Sequence, residues 1–297
     1  MMKPNRSPRA YHSLAAAAVV IASIQFLPAS SRGEGWGPGD SLKQSMIRLL
    51  ASASVIVQNS DYGFMETAYL GAFLQPGSFS FLTMTLSEDE EYAFLGAGNQ
   101  KNMDLDIVVE DEQGNSVVHD VKDNDAPVVI FSPPRTGRYH LKLKLFRSKN
   151  ACFCGMVLLK KNGWNVPVKN LDVAMNNMLR QSELIASQRP TKFADVPGEW
   201  SVVGVIIKPG ESAGFQDIQL GTGRRAFTSG GDTVCRDIDL AAFEDGASRK
   251  ILDADLDGDA TPLVQFDAFA AKRYSMIVKN VNSNGGCLIM TALLEIE

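Results

Sequence analysis

The chain has 297 residues, a formal net charge of −5 and no run rich in Lys or Arg. Nucleic acid is therefore excluded as a partner, because neutralising phosphates takes a basic patch, and nothing points to an anionic membrane surface. With 45% hydrophobic and 21% charged residues the composition is that of a globular chain.

In chain order, the first predicted element is a secretory signal at residues 1–31. Lys3, Arg6 and Arg9 form a basic start, Leu14 to Leu27 an apolar run, and Ala29, Ser30 and Ser31 a small-residue cleavage site. The run falls short of the roughly 20 residues a bilayer-spanning helix needs, and Ser23 and Gln25 interrupt it. Cleavage is expected to leave a mature chain of about 265 residues, periplasmic or released and detached from the membrane.

Leu42, Met46, Leu49 and Leu50 next share one face of a helix, with Asp40 as the expected N-cap. The strands that follow show alternation. Leu105, Ile107 and Val109 are expected in the core, with Asp104, Asp106 and Val108 on a wet face. Tyr139, Leu141, Leu143 and Leu145 likewise oppose His140, Lys142 and Lys144. Glu112 to Asn115 is a turn between strands.

The same elements then recur. Leu70 to Gly77 reappears as Val203 to Gly210, an offset of 133 residues at which Phe94 also matches Phe227 and Asp104–Ile107 matches Asp237–Leu240. Further on the offset becomes 135, pairing Tyr139 with Tyr274 and Cys152 with Cys287. A second helix carries Leu171, Met175, Met178 and Leu179, with Asn170 as its expected N-cap. The fold expected is mainly β: two tandem jelly-roll-like antiparallel β-sandwiches, each preceded by one α-helix, in modules 32–163 and 164–297 that pack on each other through the helices.

Asp104 to Val109, Gln113-Gly114-Asn115, Phe131 and Thr136-Gly137-Arg138-Tyr139 resemble the bacterial pre-peptidase C-terminal domain. Asp237 to Leu240, Asp245-Gly246, Phe266 and Arg273-Tyr274 resemble it in the second copy. The resemblance implies a small jelly-roll-like sandwich, appended to secreted enzymes for secretion, stability or substrate attachment, with calcium bound in some members. This chain departs from that pattern: no peptidase domain accompanies the modules, each copy has a leading helix, and the second copy lacks the Thr-Gly before its Tyr.

Paired aspartates recur in both copies, Asp104 with Asp106 and Asp237 with Asp239. Each pair precedes an acidic loop, Asp120, Asp123 and Asp125 in the first and Asp253, Asp255, Asp257 and Asp259 in the second. Calcium takes roughly six to eight oxygens, so these are the candidate calcium ligands, and calcium is the one candidate cofactor. The competing reading is turn chemistry, since Asp bonds readily to nearby backbone. Asp253 to Gly258 matches the opening of an EF-hand loop, but Val264 stands at the twelfth position and the match is read as coincidence. In an oxidising compartment Cys235 and Cys287 are expected to bond if their strands adjoin, while Cys152 and Cys154, alternate residues of a strand, are too far apart to bond without a bulge, which leaves local pairing, pairing with another chain and buried free thiols open.

An enzyme is not expected. His119 and His140 survive signal removal but belong to no catalytic motif, and there is no nucleophile elbow, zinc-protease motif or phosphate-cradling loop. The reading is an exported non-enzymatic protein serving as scaffold or attachment surface, its partner a protein or polysaccharide at the cell envelope. The rival is a carbohydrate- or protein-adhesive module using Trp36, Trp164, Trp200, Tyr62 and Phe64 as a stacking platform, with Trp200 itself read as core. A cryptic hydrolase built around His119 stands third.

Overall fold

A computed structural model describes residues 36–196 and 198–297; the expected signal peptide, residues 1–31, lies outside the described residues. Helix α1 (Gly37–Asn59) leads β1 (Tyr62–Leu74), β2 (Phe79–Leu86), β3 (Tyr92–Gly98), β4 (Asp104–Asp111), β5 (Ser116–Asp120), β6 (Val128–Phe131), β7 (Gly137–Arg147) and β8 (Cys152–Lys161). Helix α2 (Lys169–Ala186) and a short β9 (Thr191–Phe193) lead the second series. It comprises β10 (Val202–Ile207), β11 (Ser212–Gln219), β12 (Gly223–Gly231), β13 (Cys235–Asp245), β14 (Lys250–Asp255), β15 (Leu263–Ala268), β16 (Arg273–Ser283) and β17 (Cys287–Ile296). The protein is mainly β, and its second half repeats the first element for element, β9 being the addition.

The strands form three antiparallel sheets in a layered body. One large sheet runs β15-β12-β17-β10-β1-β8-β3-β6, with β9 beside β17; the four-stranded sheets are β2-β7-β4-β5 and β11-β16-β13-β14. Tyr92 and Phe94 face the core shared with the four-stranded sheets, while Ala93, Leu95 and Ala97 belong to the core beneath the helices. Strands covered on both faces read as continuous apolar runs, which is why β3, β8 and β17 show so little alternation. The outer sheets keep it: Tyr139, Leu141, Leu143 and Leu145 are buried and the residues between them are not.

The halves join through the ladder between β1 and β10, where Leu70 lies opposite Val203. These are equivalent residues at the offset of 133, so a pseudo-two-fold axis passes through their pair, the arrangement of a closed symmetric dimer fused into one chain. Beside the axis Tyr69 faces Gly204, where a Cβ would run into the tyrosine's own Cβ. The helices also touch, through the Lys43–Glu183 ion pair at 3.1 Å, but the continuous sheet is the connection that the sequence did not disclose.

Neither expected N-cap caps its helix. Trp36 precedes α1 without a side-chain capping bond and Asp40 falls in the first turn, because Pro38, with its φ already helical and no N–H to satisfy, starts the helix earlier. Asn170 is buried inside α2, and its amide donates to Asp232 Oδ2 at 2.7 Å. The expected helix faces hold: Leu42, Met46 and Leu49 are fully buried, as are Leu171, Met175, Met178 and Leu179.

Candidate functional site

A cleft of about 410 Å³ opens between the two four-stranded sheets, over the pseudo-two-fold axis. That size falls within the range of small-ligand sites. Leu70 and Val203 form its floor, Phe81 to Met84 of β2 one wall, and Gly214, Phe215, Gln216 and Ile218 of β11 the other. The segment from Glu199 to Ser201, preceded by Gly198, lines one side. It is fixed to both halves: Phe81 donates its amide to the Gly198 carbonyl, Ser80 Oγ donates to the Glu199 carbonyl at 2.8 Å, and Trp200 Nε1 donates to the Phe81 carbonyl at 2.9 Å. Ser201 adds bonds to Gly71 on β1 and Leu293 on β17.

The fold is symmetric about the axis, but the lining is not. At the repeat offset, Phe81 corresponds to Gly214 and Trp200 to Thr67, all four of which line the cleft. Phe81 and Trp200 thus make one side aromatic where their counterparts Gly214 and Thr67 are small, with Phe215 as the aromatic contributed by β11. Glu199 also lines the cleft, and among the described residues no hydrogen bond or ion pair reaches its carboxylate. Burial pushes its pKa up, the nearby Asp217 adds to this, and Arg273 opposes it. Arg273 is itself paired with Asp217 at 3.5 Å.

Trp200 is half-buried: it packs against the core, as expected, and also lines the cleft. The remaining aromatics of the expected platform are scattered. Trp36 packs on Phe193 with centroids 4.9 Å apart, Phe64 is fully buried, Trp164 lies under Lys208, and Tyr62 donates its hydroxyl to Glu91. Sequence reasoning missed Phe81 and Glu199. The available signal was Phe79-Ser80-Phe81, two aromatics on one face of a strand, each about 40% exposed in the structure.

The paired aspartates form a second constellation, present in both halves. The acidic loop reaches the aspartate strand each time: Leu105 donates its amide to the Asn124 carbonyl and Ile238 to the Asp259 carbonyl. Asp106 lies opposite Lys144 in the ladder, and Asp239 opposite Lys279. The expected wet face is accordingly closed in the first copy, with Asp104 and Asp106 only 6% and 5% exposed. Burial first, then the charges of Asp104 and Asp120, push the Asp106 pKa up against the pull of Lys144. Burial, Asp237 and Asp255 do the same to Asp239 against Lys279.

Asp104 Oδ1 and Asp237 Oδ1 are buried without a hydrogen-bond partner. The other loop carboxylates are occupied. Asp120 Oδ2 accepts from the Val128 amide, Asp123 pairs with Arg147 at 2.7 Å and Asp125 with Arg48 at 2.6 Å. Asp253 and Asp255 accept from the Gln265 and Leu263 amides, and Asp259 from Thr261. Asp257 is exposed in the loop that follows β14.

Cys235 and Cys287 form the expected disulfide, with Cα atoms 5.6 Å apart. They lie near Asp232, but bonded sulfurs offer no thiolate to a metal. Cys152 and Cys154 are buried free thiols on β8, and burial raises both pKa values. His119 contacts Ser116 at 3.1 Å and His140 contacts Thr83 at 2.7 Å.

No protein-family model matches the chain, and no curated protein matches it. Among solved structures it is similar to the N-terminal tandem CBM22 domain of Xyn10C from Paenibacillus barcinonensis, with 10% identity over 76% of this chain and 93% of that one and a TM-score of 0.22. It is also similar to the tandem CBM51 modules of Sp3GH98, a family 98 glycoside hydrolase from Streptococcus pneumoniae, with 11% identity over 75% and 83% of the two chains and a TM-score of 0.22. Likenesses at that TM-score carry no argument about what this chain binds.

Proposed function

We propose that the chain is an exported binding protein whose twin sandwiches, similar to pre-peptidase C-terminal modules, hold a carbohydrate in the cleft on the pseudo-two-fold axis. The observation that carries this reading is the anchored Trp200–Phe81 wall, whose counterparts across the axis are Thr67 and Gly214. Aromatic faces pair with the apolar faces of sugar rings, and the threonine and glutamate side chains nearby supply polar partners. The disulfide fits an oxidising compartment, and no helix among the described residues is long and apolar enough to cross a membrane. Attachment to a ligand, rather than a passive scaffold role, accounts for a lining that breaks the symmetry of its own fold.

The test is retention on insoluble polysaccharides, with cellulose, chitin and xylan as the panel. Trp200→Ala is expected to weaken retention by about tenfold or more, in line with the loss of a stacking aromatic, while Trp200→Phe retains part of it. A Trp200→Ala protein that melts as wild type and binds as wild type refutes the cleft.

A second reading, compatible with the first, rests on the unpartnered Asp104 Oδ1: calcium held by Asp104, Asp106 and Asp120 in one half and Asp237, Asp239 and Asp255 in the other. Three carboxylates fall short of the roughly six to eight oxygens calcium takes, so backbone carbonyls and water supply the rest. Calcium bound only by the native state raises the melting temperature, and at about 100 times its Kd it adds roughly 2.7 kcal/mol. An identical melt in EDTA and in excess calcium removes this reading.

A further inference from the structure

We propose that the cleft selects a glycan bearing free amino groups over its neutral and acidic analogues, with Glu199 as the counter-ion; this rests on the reading of the cleft as the binding site. Three charged side chains cluster where Glu199 meets β11 and β16, and two of them neutralise each other. Asp217 is held by Arg273 at 3.5 Å. The cluster therefore carries one net negative charge, and Glu199, which feels the charge of Arg273 but forms no ion pair with it, is half-buried, next to Trp200 in sequence and lining the same cleft. Of the other titratable groups around this wall, His140 is tied to Thr83, and Lys142, which lies over Phe79, is paired with Glu110. Neither supplies a cation to Glu199.

A lone carboxylate beside a tryptophan and a phenylalanine is complementary to an ammonium group. The carboxylate gives a charge-assisted hydrogen bond and the ring faces give cation–π attraction. An acidic sugar meets a like charge in the same place. A neutral sugar gains the stacking alone and leaves the carboxylate partly desolvated without recompense. The chain's net charge of −5 works in the same direction at long range.

The experiment is calorimetric titration of the mature protein with a fully deacetylated glucosamine tetramer and with its N-acetylated counterpart. The amino form is expected to bind about tenfold more tightly, the equivalent of one charge-assisted contact beside an aromatic ring. Glu199→Gln is expected to abolish that preference, so that the variant binds the two tetramers alike. Trp200→Ala is expected to weaken both. Equal affinity of wild type for the two tetramers, or a preference that survives in Glu199→Gln, overturns the amino-group inference; loss of both ligands in Trp200→Ala then still supports the cleft. Binding of both that Trp200→Ala leaves untouched, or no binding of either, overturns the inference together with the site on which it rests.

Discussion

Equivalent core positions in the two halves are closed by different chemistry. In the second half Cys235 and Cys287 are bonded, and the side chain of Cys235 fills the space against Gly231. In the first half Cys287 corresponds to Cys152, a free thiol, and Cys235 corresponds to Asn102, whose φ of 62° turns its backbone into the left-handed region. The adjacent Met103 turns inward instead, 3% exposed, and its thioether lies against Gly98, the counterpart of Gly231. A flexible apolar side chain and a covalent staple thus occupy the same place in one fold. The former acts through packing in the native state, the latter mainly by restricting the unfolded chain.

Removing each device tests the contrast. Met103→Ala leaves a cavity beside Gly98 that backbone cannot fill, and the expected cost is about 2–5 kcal/mol. Hydrogen exchange is expected to accelerate in β3, β4 and β8 above all; uniform acceleration across both halves contradicts a local packing role. Cys287→Ser opens a loop spanning 52 residues in sequence, at a cost of about 2–4 kcal/mol. At roughly 2–4 °C per kcal/mol for a body of this size, thermal melting resolves it. Reductant is expected to lower the melting temperature of wild type toward that of Cys287→Ser and leave the variant unmoved. A reductant effect that persists in the variant assigns the sensitivity to another site.

The sequence disclosed whatever depends on side-chain periodicity. The α1 and α2 faces, the β7 alternation and the duplication were all readable, because burial on one side of an element writes a period into the chain. The joining of β1 to β10 was not, because the backbone groups that pair across the axis are the same in every strand, whichever neighbour they meet. Periodicity also placed Asp104 and Asp106 opposite the core, but it could not show that residues 120 to 125 fold back over them. Trp200 shows the same limit from the other side. It precedes a buried strand and packs against the core as expected, and only its bond to Phe81, 119 residues away in sequence, makes it part of the cleft wall.

The buried aspartates give the smallest effect and the sharpest contrast between halves. Folding raises the Asp106 pKa, so its protonated form is the one the native state favours. The stability linked to it is present below the ordinary carboxylate value of about 3.9 and is lost as pH rises through the elevated folded value. Asp106→Asn keeps the shape and removes the charge, so it is expected to be stabilising at neutral pH by roughly 0.2–1 kcal/mol, the usual scale of a like-charge pair on a sheet, with the difference vanishing in acid. Asp239→Asn acts in the same direction, but more weakly, because Asp239 is half-buried where Asp106 is buried. Bound calcium reverses both signs, since the carboxylate then becomes a ligand whose loss weakens the native state. Melting each variant across pH in EDTA and again in excess calcium therefore separates a buried, repelling carboxylate from a coordinating one: stabilisation in both media leaves burial and repulsion, and a change of sign with calcium leaves coordination.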